Sequence, residues 1–290
     1  EYELDAWYLF EQAFSMSRAR YFLDAKEEAA PGDEALKAYE DGLERRSGRV
    51  TLQHILGTQE FMGMEFFVNA HVLIPRQDTE TLVETVLNEQ KNRNISVLDM
   101  CTGSGCIAVS LKALGGYARV AAADISPEAL EVAEKNAGTY PVEFRQSDMF
   151  AAFEPGRDMF DVIVSNPPYF INSLKCPDNK RSVARHTDSL SLSELIDDSC
   201  SLLSLSGRIA LVLPYEQLGE IEMIARKNHL SICRQTDVIP VPGAQPKRLL
   251  IEPSVPPTDI KNRNTLIIEE ARHQYTPEYI ALTKDFYLKM

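Results

Sequence analysis

The sequence predicts an α/β protein: a doubly wound, mostly parallel sheet of seven strands with an antiparallel end, a small N-terminal helical domain and a linking β-hairpin. Three observations carry that expectation. From Ile95 onward short apolar runs alternate with amphipathic stretches, the pattern of strands crossing to helices and back. The first such run ends in a glycine-rich turn that opens a helix, Asp99-Met100-Cys101-Thr102-Gly103-Ser104-Gly105-Cys106. Ahead of Ile95, the front of the chain shows helical spacing and capping residues instead.

In chain order, Leu4, Trp7, Tyr8 and Phe10 begin an apolar helix face. Ser17 is placed to cap a helix over residues 18–23, and Asp33 to cap a longer polar one over 34–46. Residues 60–74 show strand character, with Phe61, Phe66, Phe67, Val68, Val72, Leu73 and Ile74 interrupted by Gly63 and Asn69-Ala70, which reads as a hairpin. Pro75-Arg76-Gln77-Asp78-Thr79-Glu80 then opens a helix to about residue 90, with Asp78 as its N-cap. Strands follow at 96–100, 119–124, 142–145, 160–165 and 208–213, with helices near 106–114, 127–136, 191–203 and 216–228. Two tail strands, 231–238 and 247–253, flank Pro240-Val241-Pro242-Gly243, and 254–264 reads as an exposed loop. The expected division is a helical domain over 1–57, a hairpin linker over 58–75 and the α/β domain over 76–290.

A chain of 290 residues suits one large domain with a small one. Hydrophobic content of 44% and charged content of 25% exclude a disordered chain, and no apolar run reaches the roughly 18 residues that span a bilayer. The start, Glu1-Tyr2-Glu3, has neither an initiator Met nor a secretory leader and reads as trimmed at its front. Five cysteines form no Cys-x-x-Cys pair, which fits reduced thiols in a cytoplasmic protein and no metal site. No membrane partner is expected, and a monomer is assumed. The net charge of −13 is uneven: residues 1–169 hold 28 Asp and Glu against 15 Lys and Arg, whereas 170–290 hold 15 of each. An acidic front half is a poor general binder of polyanions, although solubility alone accounts for it equally well.

Two segments carry chemistry. In the glycine turn, Gly103 and Gly105 let backbone approach a ligand, and the helix start presents unpaired N–H groups. A lone Gly-x-Gly is weak evidence. It is sharpened by acids at three successive strand ends: Asp99, Asp124 and Asp148, with Met149 available to pack on a ring. Asp124 can accept ribose hydroxyls, and a set of carboxylates suits the cationic sulfonium and ammonium of S-adenosyl-L-methionine better than a pyrophosphate. The second segment is Asn166-Pro167-Pro168-Tyr169, straight after the apolar run 160–165. Its prolines stiffen a strand exit. The Asn166 side-chain oxygen and the Pro167 carbonyl can each accept an N–H of a planar nitrogen, and Tyr169 can stack on it. The pair of segments points to methyl transfer onto an amide or amine nitrogen.

Residues 1–169 resemble the HemK/PrmC methyltransferases, through Gln53-His54-Ile55-Leu56-Gly57, Glu60-Phe61-Met62-Gly63, Val72-Leu73-Ile74-Pro75-Arg76-Gln77-Asp78-Thr79-Glu80, the glycine loop and the Asn-Pro-Pro-Tyr. That resemblance implies a Rossmann-like methyltransferase sheet and methylation of the Gly-Gly-Gln glutamine of peptide chain release factors. It further implies cofactor contacts from Cys101, Thr102, Gly103, Ser104, Gly105, Asp124, Met149 and Asn166, and a glutamine held by Asn166, Pro167, Pro168 and Tyr169. After the motif the chain is similar instead to bacterial methyltransferases of the adenine exocyclic amine in valine tRNA. The carrying residues are Phe170-Ile171-Asn172-Ser173-Leu174-Lys175, Arg181-Ser182-Val183-Ala184-Arg185-His186-Thr187, the stretch 237–250 and the terminus 275–288. The chain thus looks like a chimera with a seam near 166–174. The helical front and the acidic charge favour a release factor as partner. A tRNA is the alternative, supported by Lys175, Lys180, Arg181, Arg185 and His186. A hybrid that binds cofactor without efficient turnover is the third reading.

Overall fold

The computed structural model describes residues 2–24, 32–168, 191–255, 262–271 and 274–283. Four helices make the front: α1 Tyr2–Phe14, α2 Arg18–Asp24, α3 Asp33–Ser47 and α4 Leu52–Leu56. Trp7 sits edge-on to Phe10 and Tyr21, with ring centroids 5.4 and 5.2 Å away. Ser17 Oγ accepts the Arg20 N–H at 3.3 Å, as an N-cap should. Asp33 does not cap α3. Gly32 holds that position, and Asp33 lies in the first turn, where its charge faces the positive end of the helix dipole.

The hairpin pairs β1 Thr58–Phe61 with β2 Met64–Phe67. Met62 and Gly63 both have positive φ, 52° and 69°, the two-residue turn that matches strand twist. The expected strand does not continue to 74. The Asn69 side chain accepts the His71 N–H at 2.9 Å and turns the chain. Val72 then drops into a small cluster with Val68, Ala129 and Val132. Helix α5, Gln77–Glu89, begins after Arg76, so Asp78 is a first-turn residue rather than the cap. Its carboxylate accepts from Arg248 Nε at 3.1 Å.

All seven expected strands are present: β3 Ser96–Met100, β4 Arg119–Asp124, β5 Glu143–Gln146, β6 Phe160–Ser165, β7 Leu203–Pro214, β8 Ser231–Ile239 and β9 Arg248–Ser254. An eighth, β10 Asn262–Ile267, pairs parallel with β8, giving the order β10-β8-β9-β7-β6-β3-β4-β5. β9 runs antiparallel to both β7 and β8, and forms the antiparallel end. Residues 262–264, expected as loop, are therefore strand; the side chains of this edge strand are mostly exposed, which removes the usual apolar signal.

Alternate residues face opposite layers. Val97, Val162 and Val164 meet α5 and α6 Cys106–Gly115, while Leu98 and Ile163 meet α8 Leu192–Leu202 and α9 Leu218–Lys227. α7 Pro127–Ala137 packs beside α6 against β4 and β5. A small ladder, β11 Glu269–Ala271 with β12 Gln274–Tyr275, leads into α10 Pro277–Thr283, which rests on α5.

Candidate active site

Parallel register brings the sequence-predicted residues to one edge. Met100 on β3 pairs with Ala123 on β4 and with Ser165 on β6. Cys101, Asp124 and Asn166 are each the next residue along, so three segments distant in sequence leave the sheet side by side. Ser165 Oγ donates to the Met100 carbonyl at 2.6 Å and braces the β3–β6 exit.

The glycine loop is held from inside by Asp99. Its Oδ2 accepts from Thr102 Oγ1 at 2.5 Å and from the Ala108 N–H at 3.1 Å. Fully buried Asp99 is thus a brace beneath the loop rather than a carboxylate at its rim. Burial raises its pKa from the ordinary carboxylate value to about 7, against the lowering effect of the Thr102 and Ala108 bonds. The two glycines differ. Gly103, at φ +54°, has nothing within 4 Å of where a Cβ would stand. At Gly105, φ +77°, a Cβ would come within 2.9 Å of Ala133 Cβ. Gly103 is open toward a ligand, whereas Gly105 serves the contact between loop and α7. Thr102 and Ser104 are buried, and Cys101 is half-buried with φ +60°.

Asp124 spans the loop and the next turn: Oδ2 accepts the Gly103 N–H at 2.9 Å, and Oδ1 the Ser126 N–H at 3.0 Å. Each oxygen keeps capacity for a further donor. Asp148 is exposed and lies two residues past the end of β5, not on it, and the adjacent Met149 is half-buried at φ +48°. Asn166 Nδ2 donates to Thr79 Oγ1 at 2.8 Å. Pro167 is buried and Pro168 half-buried. Tyr169, Cys176 and the basic set Lys175, Lys180, Arg181, Arg185 and His186 lie outside the described residues.

Two residues at this edge were missed by sequence reasoning. Thr79 lies within the Ile-Pro-Arg-x-x-Thr-Glu run, which was its only signal. Asn136 on α7 donates to the Ser104 carbonyl and the Phe67 carbonyl, both at 2.9 Å, and accepts the Phe67 N–H at 2.7 Å. It ties the hairpin to the glycine loop. Nothing in its local sequence marks it out.

Residues 76–232, more than half of the chain, match the family described as methyltransferase small domain. The chain belongs to that family. This methyltransferase also matches the PrmC N-terminal domain over residues 1–57. Relatives of two kinds are similar to it. The tRNA1(Val) (adenine(37)-N6)-methyltransferase of Parabacteroides distasonis is 46% identical over 198 residues, 67% of this chain and 83% of that one. The release factor glutamine methyltransferase of Koribacter versatilis is 45% identical over 170 residues, 57% of this chain and 59% of that one. The chain thus carries likeness to both, as its two-part sequence does. Among solved structures, a predicted O-methyltransferase of Agrobacterium tumefaciens matches with TM-score 0.56 at 18% identity, over 72% of this chain and 97% of that one. A methyltransferase of Pyrococcus furiosus matches with TM-score 0.51 at 16% identity, over 73% and 98%. Those two likenesses concern the fold alone.

S-adenosyl-L-methionine is the cofactor of this methyltransferase. The residues present fit it: an open glycine, a carboxylate with acceptor capacity at the β4 end, and a half-buried methionine at the β5 edge. No helix among the described residues is long and apolar enough to cross a membrane.

Proposed function

We propose that this methyltransferase methylates a planar nitrogen, and that the nitrogen is the exocyclic amine of an adenine in tRNA. The observation that carries the nitrogen is the Asn166-Pro167-Pro168 exit from β6, one residue beyond the edge that also bears the glycine loop, with its amide held by Thr79 at 2.8 Å. When bound, the cofactor would supply an electrophilic methyl group from its sulfonium, the S–CH3 bond breaking to leave the neutral thioether S-adenosyl-L-homocysteine. Cys101, Thr102, Gly103, Ser104 and Gly105 would hold it along the loop that Asp99 braces. Asp124 would take the ribose hydroxyls, and Asp148 and Met149 the adenine side. Asn166 and Pro167 offer carbonyl oxygens to the N–H groups of the acceptor nitrogen, fix its plane, and favour the positive charge that grows there during transfer. Tyr169 keeps its proposed role as stacking partner. No strong base is required, because the proton can leave after transfer.

Two features support the tRNA. The adenine methyltransferase relatives are covered over most of their length. A cleft of about 410 Å³ at the same sheet edge is lined by Arg76, Gln77, Asp78, Val238, Lys247 and Arg248; Asp78 engages Arg248, so Arg76 and Lys247 carry its positive character. Such a cleft suits phosphates beside the acceptor nitrogen. The second reading is the glutamine amide of a release factor. It is supported by the match over residues 1–57 and by exposed Leu4, Tyr8, Phe22 and Leu23 on α1 and α2. Either substrate is consistent with a cytoplasmic setting.

Incubation with labelled S-adenosylmethionine and either unmodified valine tRNA or unmodified release factor tests this. Label entering tRNA is expected. Label entering release factor alone would replace the first reading with the second, and label entering neither would favour a hybrid without turnover.

A further inference from the structure

An amide side chain has two ends of opposite hydrogen-bonding sense, so Asn166 can accept from a nitrogen only when its oxygen is the end presented. The structure contains a device that sets this. Asn166 Nδ2 donates to Thr79 Oγ1 at 2.8 Å, across 87 residues of chain. Thr79 is 3% exposed, so water does not compete for its oxygen. The turn that carries it is fixed from three sides. Gln77 Nε2 donates to Tyr275 Oη at 2.9 Å, Asp78 Oδ2 accepts from Arg248 Nε at 3.1 Å, and Glu80 Oε1 accepts the Met62 N–H at 2.8 Å. The tail, β9 and the hairpin therefore each hold one residue of the first turn of α5, and the remaining residue of that turn holds Asn166.

We propose that Thr79 is a positioning residue for methyl transfer: its hydroxyl oxygen takes the Asn166 NH2 group and so commits the Asn166 carbonyl oxygen to the acceptor nitrogen. The assignment rests on Asn166 being the acceptor for that nitrogen. An amide turned the other way would set N–H against N–H, losing an attraction and adding a repulsion at the place where positive charge develops. Thr79→Val keeps the shape of the side chain and removes the oxygen; Thr79→Ser keeps the oxygen.

With valine tRNA as acceptor, Thr79→Val is expected to lower kcat by about 10- to 100-fold, part of the 10²–10³ typical of losing one preorganised dipole. Cofactor affinity by calorimetry should stay within about threefold, and Thr79→Ser should restore most of the rate. Unchanged kcat in Thr79→Val, or equal slowing in Thr79→Ser, overturns the proposal. In ¹⁵N-asparagine-labelled protein the Asn166 NH2 signals, identified by their loss in Asn166→Ala, should shift in Thr79→Val and return in Thr79→Ser. Signals that stay in place overturn it as well, whatever the acceptor. If Asn166→Ala retains full kcat, the reading of Asn166 itself fails; if only Thr79→Val does, that reading stands and Thr79 drops out.

Discussion

At Asp99 a carboxylate is enclosed by the sheet edge. Oδ2 accepts two hydrogen bonds, while Oδ1 has no partner among the described residues. With its pKa raised to about 7 by burial, the folded protein holds this proton more tightly than the unfolded chain, where an Asp titrates near 3.9. The stability this group contributes is thus full below about pH 4 and is lost as pH rises through about 7. Asp99→Asn, which needs no proton, should remove that slope. Urea unfolding at pH 4.5 to 8 should show the parent losing stability relative to the variant by on the order of 3 kcal/mol. Parallel curves would refute it. The two glycines give a second contrast. Gly103→Ala should weaken cofactor binding with a stability cost of about 1 kcal/mol for the left-handed backbone. Gly105→Ala adds a clash with Ala133 and should cost several kcal/mol, with aggregation or a lowered Tm as the readout. Asp124 and Asn166 were legible because a strand end announces itself locally. Thr79 and Asn136 were not, since each acts through a contact made only after distant segments pack.

At the scale of elements, α5 is clamped at both ends by charges from the C-terminal strands β7, β8 and β9. Its first turn offers Asp78 to Arg248 on β9, and its last offers Glu89 to Arg208 on β7 and Arg234 on β8. Glu252 on β9 completes the lower group 3.5 Å from Arg208, and its pKa is raised by burial despite the two arginines. Side chains there are a third exposed or less, so salt screens them weakly. A double-mutant cycle on Asp78 and Arg248 should give a coupling of about 1–2 kcal/mol. The exposed pair Glu154–Arg157 should give under about 0.5 kcal/mol in the same assay. Equal couplings would show that burial does not set the difference. Strands and hairpin were legible from apolar alternation and turn residues. Asp33 and Asp78 lie one and two residues past the actual caps, Gly32 and Arg76, because an acid in a helix's first turn reads in sequence the same as one at its boundary.

For the whole molecule the question is whether a chain with two kinds of likeness folds as one body. Its central sheet is continuous between the parts of the chain on either side of residues 166–174: β6 pairs with β3 before it and with β7 after it, and both core layers draw side chains from the two halves of the chain. The helical front is different. Of its described residues only Asp5, Leu9 and Gly42 are buried, with Asp5 bonded to Arg46 at 2.7 Å. A layer that buries so little apolar surface has little to offset its chain entropy, and such layers open before the rest. Trp7, the sole tryptophan, lies in this front among Phe10, Tyr21 and Phe22. Its fluorescence therefore reports α1 and α2, whereas far-UV circular dichroism reports mostly the sheet and its helices. In urea the Trp7 transition is expected at a lower midpoint than the dichroism transition, with a smaller m-value because less surface is exposed. Coincident midpoints would mean that the front and the sheet unfold as a single cooperative unit. The separation should shrink in the presence of whichever macromolecular substrate contacts the front, because a partner that binds only its folded form stabilises it by mass action. Release factor should close the gap if the front receives it; valine tRNA should leave it open unless the RNA reaches past the α/β domain to α1 and α2.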